Sequence, residues 1–116
     1  LSKPAGKGRL YVLKEKERIA GAVVLLSADD RWPDGQSASA FYLHNLVTDP
    51  YVKGVGRELL REAEALALRQ QKRFLRLDCS IYSVFLNHYY ESAGFHLAGR
   101  CKEGPYEGSL REKALF

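Results

Sequence analysis

One change of hydrophobic period, at a pair of glycines, limits the fold of this chain more than any other feature. Ala38 to Val47 reads as a strand that ends at the turn-prone Thr48-Asp49-Pro50. From Val55 onward, Val55, Leu59, Leu60, Ala63, Leu66 and Ala67 recur at helical spacing. Arg57, Glu58, Arg61, Glu62 and Glu64 fall on the other side, so the pattern predicts an amphipathic helix running to about Gln70. Gly54 and Gly56 stand at the junction. A helix N-terminus carries unpaired backbone N–H groups and a partial positive charge, and glycines there let an anion approach closely. Lys53 and Arg57 flank the pair. The plain alternative is a tight turn with solvated charges.

The other elements follow from the same reasoning. Arg9 to Lys14 and Ile19 to Ser27 are apolar, β-branched runs separated by Glu15-Lys16-Glu17-Arg18, which predicts an antiparallel hairpin. Ala28 to Ser37 combines acids with Pro33 and Gly35 and is a loop, with Trp32 folded back onto the body. Phe74 to Cys79 alternates Leu75, Leu77 and Cys79 against Arg76 and Asp78, giving a strand. Ser83 to Ala93 reads as a helix closed by Gly94. Phe95 to Cys101 and Leu110 to Leu115 are two further strands around a loop from Lys102 to Gly108. The order is βββαβαββ, in about six strands of mixed sheet.

A length of 116 residues suits one modest core, so 1–116 is expected to be a single domain. No apolar run approaches the roughly 20 residues of a membrane helix, and no secretory leader is visible at the start. A cytoplasmic protein with no membrane partner is the expectation. Cys79 and Cys101 lack metal-type spacing, so free thiols and no metal are expected. The net charge of +4 is spread among acids without a basic stripe, which argues against a nucleic-acid partner and still favours an anionic cofactor. Two phosphate-binding motifs are excluded outright. No Gly-Lys-Ser/Thr occurs, and position 59, where the dinucleotide fingerprint needs its third glycine, is Leu59.

The run Leu46-Val47-Thr48-Asp49-Pro50-Tyr51-Val52-Lys53-Gly54-Val55-Gly56-Arg57-Glu58-Leu59-Leu60 is followed by Leu75-Arg76-Leu77-Asp78-Cys79 and Tyr89-Tyr90-Glu91-Ser92-Ala93-Gly94-Phe95. In order and spacing these blocks resemble the GNAT N-acetyltransferase superfamily, with specific motifs from Leu43 to Phe95. The resemblance implies an α/β (α+β) acyl-CoA N-acyltransferase fold, a mixed central sheet with splayed strands flanked by helices. It also implies that the family's N-terminal strand and helices are missing from this chain. The implied cofactor is acetyl-CoA, and the implied reaction is direct acetyl transfer, within a ternary complex, to a primary amine of a small molecule or peptide. A catalytically degenerate coenzyme A-binding domain is the alternative, and a homodimer is left open.

By the same resemblance, the amides of Val52, Lys53, Gly54, Val55, Gly56 and Arg57 bind the pyrophosphate. Tyr51 stands where the family motif has Gln or Arg. A bulge in the preceding strand opens a slot in which the backbone of His44, Asn45 and Leu46 pairs with the pantetheine arm, and the Leu46 amide polarises the thioester carbonyl. Ser83 replaces the family's cofactor-touching Asn and equally suits an N-cap. Tyr90 matches the general acid that protonates the leaving thiolate; aromatic packing is its plain reading. Some relatives carry a catalytic Glu where this chain has Ala40. His44 is the remaining candidate base on that strand, and His88 and His96 are expected near the surface. The acids Asp29, Asp30 and Asp34 and the segment Glu103 to Glu107 with Tyr106 lie on the expected acceptor side.

Overall fold

The computed structural model describes residues 9–116, in which hydrophobic periodicity and observed elements coincide. Strands β1 (Arg9–Glu15), β2 (Arg18–Leu26) and β3 (Ala40–Thr48) precede helix α1 (Val55–Arg69). Strand β4 (Phe74–Ser80), helix α2 (Val84–Ser92) and strands β5 (His96–Glu103) and β6 (Tyr106–Ala114) complete the expected order. The six strands form one sheet in the spatial order β1-β2-β3-β4-β6-β5. Only the β3–β4 pair, joined across α1, is parallel. No helix among the described residues is long and apolar enough to cross a membrane.

One boundary differs from the sequence expectation. The charged stretch from Lys102 to Gly108 is not a loop: Lys102 pairs with Glu107 and Glu103 with Tyr106, leaving Gly104 and Pro105 as the turn. Gly104 has φ +58°, which glycine adopts without a Cβ clash. Lys102 and Glu103 are charged because that hairpin end is exposed, not because it is irregular.

The sheet has two unequal faces. Both helices cover one of them, where Val23, Leu25, Leu43, Leu75, Leu77 and Cys79 meet Val55, Leu59, Leu60, Ala63 and Ala67 of α1 and Tyr90 and Phe95 around α2. Close packing of α1 explains Gly21, where a Cβ would stand 2.5 Å from a Val55 methyl. The opposite face carries a smaller core of Trp32, Ala40, Tyr42 and Leu110, covered by the 27–39 loop with Trp32 folded inward as expected. Cys79 and Cys101 are free thiols.

Arg76 anchors the loop face. Alternation along β4 turns it away from the helices, yet it is only 6% exposed. A buried charge needs partners. Arg76 donates to Asp34 (2.8 Å), Glu112 (2.8 Å) and the Tyr42 hydroxyl (2.9 Å), and its guanidinium carbon lies 4.3 Å from the centre of the Trp32 ring. Arg76→Ala should therefore cost about 3 kcal/mol of unfolding free energy in urea titration, the low end for breaking a buried pair because Asp34 is half-exposed. Arg61→Ala, which breaks the exposed pair with Glu58, should cost less than about 0.5 kcal/mol. Equal losses in the two variants would refute the anchoring role of Arg76.

Candidate functional site

The site begins where two strands part. β3 and β4 pair for three rungs, ending at Tyr42↔Arg76. Beyond them β4 stays with β6 as far as Ser80↔Gly108, and β3 stays with β2 as far as Thr48↔Gly21. Each strand is thus held from its outer side, and a V opens between them. β3 also carries an extra residue there: Val24 pairs with His44 but Ala22 with Val47. Asn45 takes up the irregularity with φ +55°, a left-handed conformation that Asn tolerates better than most side chains. The bulge expected at His44, Asn45 and Leu46 is present, at the mouth of the V.

At the end of β3 the chain turns into α1, and its amides sort into two groups. The Val52 amide donates to the Asp49 carbonyl (3.1 Å) and the Tyr51 amide to the Asp49 carboxylate (2.9 Å). Those of residues 53–57 have no protein acceptor among the described residues, and intrahelical bonding starts with Glu58 donating to Gly54 (3.0 Å). The expected cradle is therefore shorter by one member, because the Val52 amide serves the turn. Gly54 caps the helix at φ +81° with no side-chain cap, and a Cβ there would meet nothing within 4 Å. The approach to these donors is open. At Gly56 a Cβ would stand 2.6 Å from the Tyr89 hydroxyl, so this glycine keeps α2 close. Arg57 donates to Ser92 Oγ (2.8 Å), and its guanidinium carbon lies 5.2 Å from the centre of the Tyr89 ring. Lys53 is exposed beside them.

α2 forms the wall of the V on the helix face. Ser83 is its N-cap, its Oγ accepting from the Leu86 amide at 3.1 Å, which leaves the hydroxyl proton free to donate. Asn87 donates to the carbonyls of Ser80 (2.9 Å) and Ser83 (2.8 Å). The nearly buried Arg111 ties the helix to the sheet through Asn87, Glu91 and the Phe95 carbonyl. Tyr90 is 8% exposed and packs edge-on against Tyr89 and Phe95. Burial, with added repulsion from Cys79, Tyr89 and Asp78, pushes its pKa up to about 12. Its hydroxyl is not among the sealed polar atoms lacking a partner, of which Trp32 Nε1 is the one found among the described residues. A protonated phenol thus stands beside the opening with its donor uncommitted.

The loop face supplies the other wall. His44 Nε2 lies 2.7 Å from Asp29 Oδ2. Burial opposes ionisation of Asp29, but the hydrogen bonds it accepts from His44 and the Arg31 amide, with the Arg31 guanidinium nearby, outweigh it and lower the pKa. Asp78 approaches both, with one donor atom from each of Asp29, His44 and Asp78 lying within 4.8 Å of the others. Such a trio could in principle hold a metal. Here the protein's own groups already serve it: Arg31 bridges Asp78 (3.2 Å) and Glu103 (2.9 Å), and the Tyr106 hydroxyl donates to Asp78.

His44 and Tyr90 therefore face the parted strands from opposite sides of the sheet. Of the groups expected on the acceptor side, Asp29 meets His44 directly, while Glu103 and Tyr106 join the cluster through Arg31 and Asp78. Asp34 is taken by Arg76, and Asp30 by Gln36. His88 and His96 are exposed, as expected. Asp78, Arg31 and Tyr89 escaped the sequence reading. None of them had a local signal: Asp78, the polar residue opposite Leu77 and Cys79 in β4, reads as solvent-facing.

Comparison with known proteins identifies the family and the fold. The acetyltransferase (GNAT) family model matches residues 2–95. The uncharacterized N-acetyltransferase YesJ of Bacillus subtilis (strain 168) is 32% identical over 106 residues, covering 84% of this chain. The chain spans 58% of that relative's length. Among solved structures, an acetyltransferase of the GNAT family from Listeria monocytogenes superposes with TM-score 0.74 at 22% identity, covering 90% of this chain and 63% of the other. An IAA acetyltransferase from Bacillus cereus gives 0.72 at 18% identity over 92% of this chain and 77% of the other. A GNAT acetyltransferase from Elizabethkingia anophelis with acetyl-CoA bound gives 0.72 at 18% identity over 92% and 76%. With its parted strands, bulge and glycine-capped helix, and with the family model matching most of its length, this chain belongs to the acetyltransferase (GNAT) family.

Proposed function

We propose that this chain transfers an acetyl group from acetyl-CoA to a primary amine by direct attack in a ternary complex. The observation that carries this reading is the V between β3 and β4, with free helix amides at one end and Tyr90 and His44 on its two sides. Bound acetyl-CoA supplies the activated acyl group and a thiol leaving group; the Elizabethkingia neighbour supports that choice. The residues fit it. Amides 53–57 offer donors to a pyrophosphate at the positive end of the α1 dipole. The unpaired edge at His44, Asn45 and Leu46 offers main-chain groups to the amides of a pantetheine arm, as an added strand would. The Leu46 amide then stabilises negative charge growing on the carbonyl oxygen.

The two walls divide the proton work. An ammonium acceptor must lose a proton before its lone pair can attack, and in this reading His44, oriented by Asp29, takes it. As the C–S bond breaks, Tyr90 gives its proton to the departing sulfur. Its raised pKa helps, because the phenol stays protonated throughout the physiological range. Asp29, Asp78 and Glu103 outnumber Arg31 around the loop-face opening, which favours a cationic small molecule or peptide amine.

Calorimetric titration with acetyl-CoA tests the first half of the proposal. The parent should bind saturably, and Gly56→Glu should weaken binding at least roughly tenfold, about 1.4 kcal/mol, because its side chain displaces Tyr89 and brings negative charge beside the anion donors. Unchanged affinity would remove this loop from the site. Tyr90→Phe keeps the ring packing and should lower kcat by about 10² while leaving acetyl-CoA affinity and melting temperature unchanged. Since a phenol with pKa about 12 keeps its proton below that value, Tyr90 should cause no alkaline loss of rate up to about pH 10. A Tyr90→Phe variant as fast as the parent would exclude the phenol as the acid.

A further inference from the structure

The first turn of α2 and the turn before it expose large apolar groups to solvent: Tyr82 is 72%, Val84 83% and Phe85 73% exposed. Their surroundings differ. The Tyr82 hydroxyl is drawn to Glu107 (3.1 Å). Phe85, one helical turn before Tyr89, stacks on it instead, with ring centres 6.0 Å apart and planes 20° from parallel. Tyr89 in turn reaches the glycine-capped end of α1, its hydroxyl against Gly56 and its ring under Arg57. A continuous aromatic surface thus leads from the free helix amides to an open ring face at Phe85. Arg57 at its base bonds to the neutral Ser92 and forms no ion pair among the described residues.

We propose that Phe85, supported by Tyr89, is the stacking platform for the adenine of coenzyme A, a subsite that rests on the cofactor reading above. Three observations select this occupant. The platform is on the helix face, continuous with the phosphate-binding amides, whereas the candidate acceptor side lies on the other face with His44. An exposed, nearly parallel aromatic pair offers a π-face to a planar base, an interaction that tolerates any base and adds affinity without hydrogen-bond readout. The unpaired guanidinium of Arg57 suits the phosphate-bearing end of the same molecule. Tyr89 packs against Gly56, so it also couples the position of the platform to that of the phosphate loop.

The test compares two ligands that share the thiol arm, coenzyme A and 4′-phosphopantetheine, which lacks adenosine. Phe85→Ala should weaken coenzyme A binding roughly fivefold or more while leaving 4′-phosphopantetheine affinity unchanged, and Phe85→Trp should restore it. Phe85 is exposed, so melting temperature should be unaltered and serves as the control for folding. Unchanged coenzyme A affinity in Phe85→Ala, or equal losses for both ligands, would overturn the proposal. So would a dimer of the parent that Phe85→Ala dissolves, since a second copy would then cover the patch. A parent that binds neither ligand would instead sink the cofactor reading, and the platform with it; a parent that binds coenzyme A leaves that reading standing whatever Phe85 does.

Discussion

Strand β4 has two edges and treats them differently: seven rungs with β6, three with β3. Backbone donors and acceptors left unpaired inside a protein are costly unless water or a ligand satisfies them. The remaining edges of β3 and β4 therefore form the natural opening of the sheet. Its crotch is reinforced on the last rung, where Arg76 donates to the Tyr42 hydroxyl across the strands. Its upper end is bent away by the Asn45 bulge. The slot, and the placing of the Tyr90 phenol and the His44 imidazole on its two faces, all depend on this one interruption of pairing.

Three arginines fasten the parts that line the opening. Arg111 clamps α2 and thereby positions Tyr90. Arg76 pins the covering loop through Asp34, and Arg31 joins the same loop to Asp78 and Glu103. Buried or half-buried ion pairs contribute little net stability once desolvation is counted. Their value here is geometric, since each guanidinium bonds two or more partners at once and so holds loop or helix at a defined distance from the sheet. The hydrophobic core under α1 contributes most of the apolar burial, and the arginines set where the side chains of the candidate site stand on it.

The elements were legible because their periods are clean. The helical stripe from Val55 to Ala67 and the alternation from Leu75 to Cys79 each describe a single buried face. The Ser83 cap was legible for a similar reason, since a hydroxyl before an apolar turn has a local partner three residues on. Arg76 and Asp78 were hidden by the same alternation that revealed β4. A polar residue opposite a buried one reads as solvent-facing, and nothing local shows that a loop from much earlier in the chain folds over it. The hairpin at Gly104-Pro105 was misread because exposed strand ends and loops share a charged composition. The Asn45 bulge was inferred by family resemblance, not from its residues, because an irregular register is a property of two strands.

Local sequence alone determined the order of strands and helices, the glycine-capped start of α1 and the aromatic residues of α2, because each depends on spacing within one or two turns. The family likeness was carried by those same short blocks. Only the tertiary structure decided that β3 and β4 part after Tyr42, that the Val52 amide is taken up by the Asp49 carbonyl, and that Asp29 and Asp78 converge on His44. It also decided that Tyr89 links Phe85 to Gly56. These are contacts between residues distant in the chain, set by strand pairing and by buried arginines whose partners no single stretch of sequence contains.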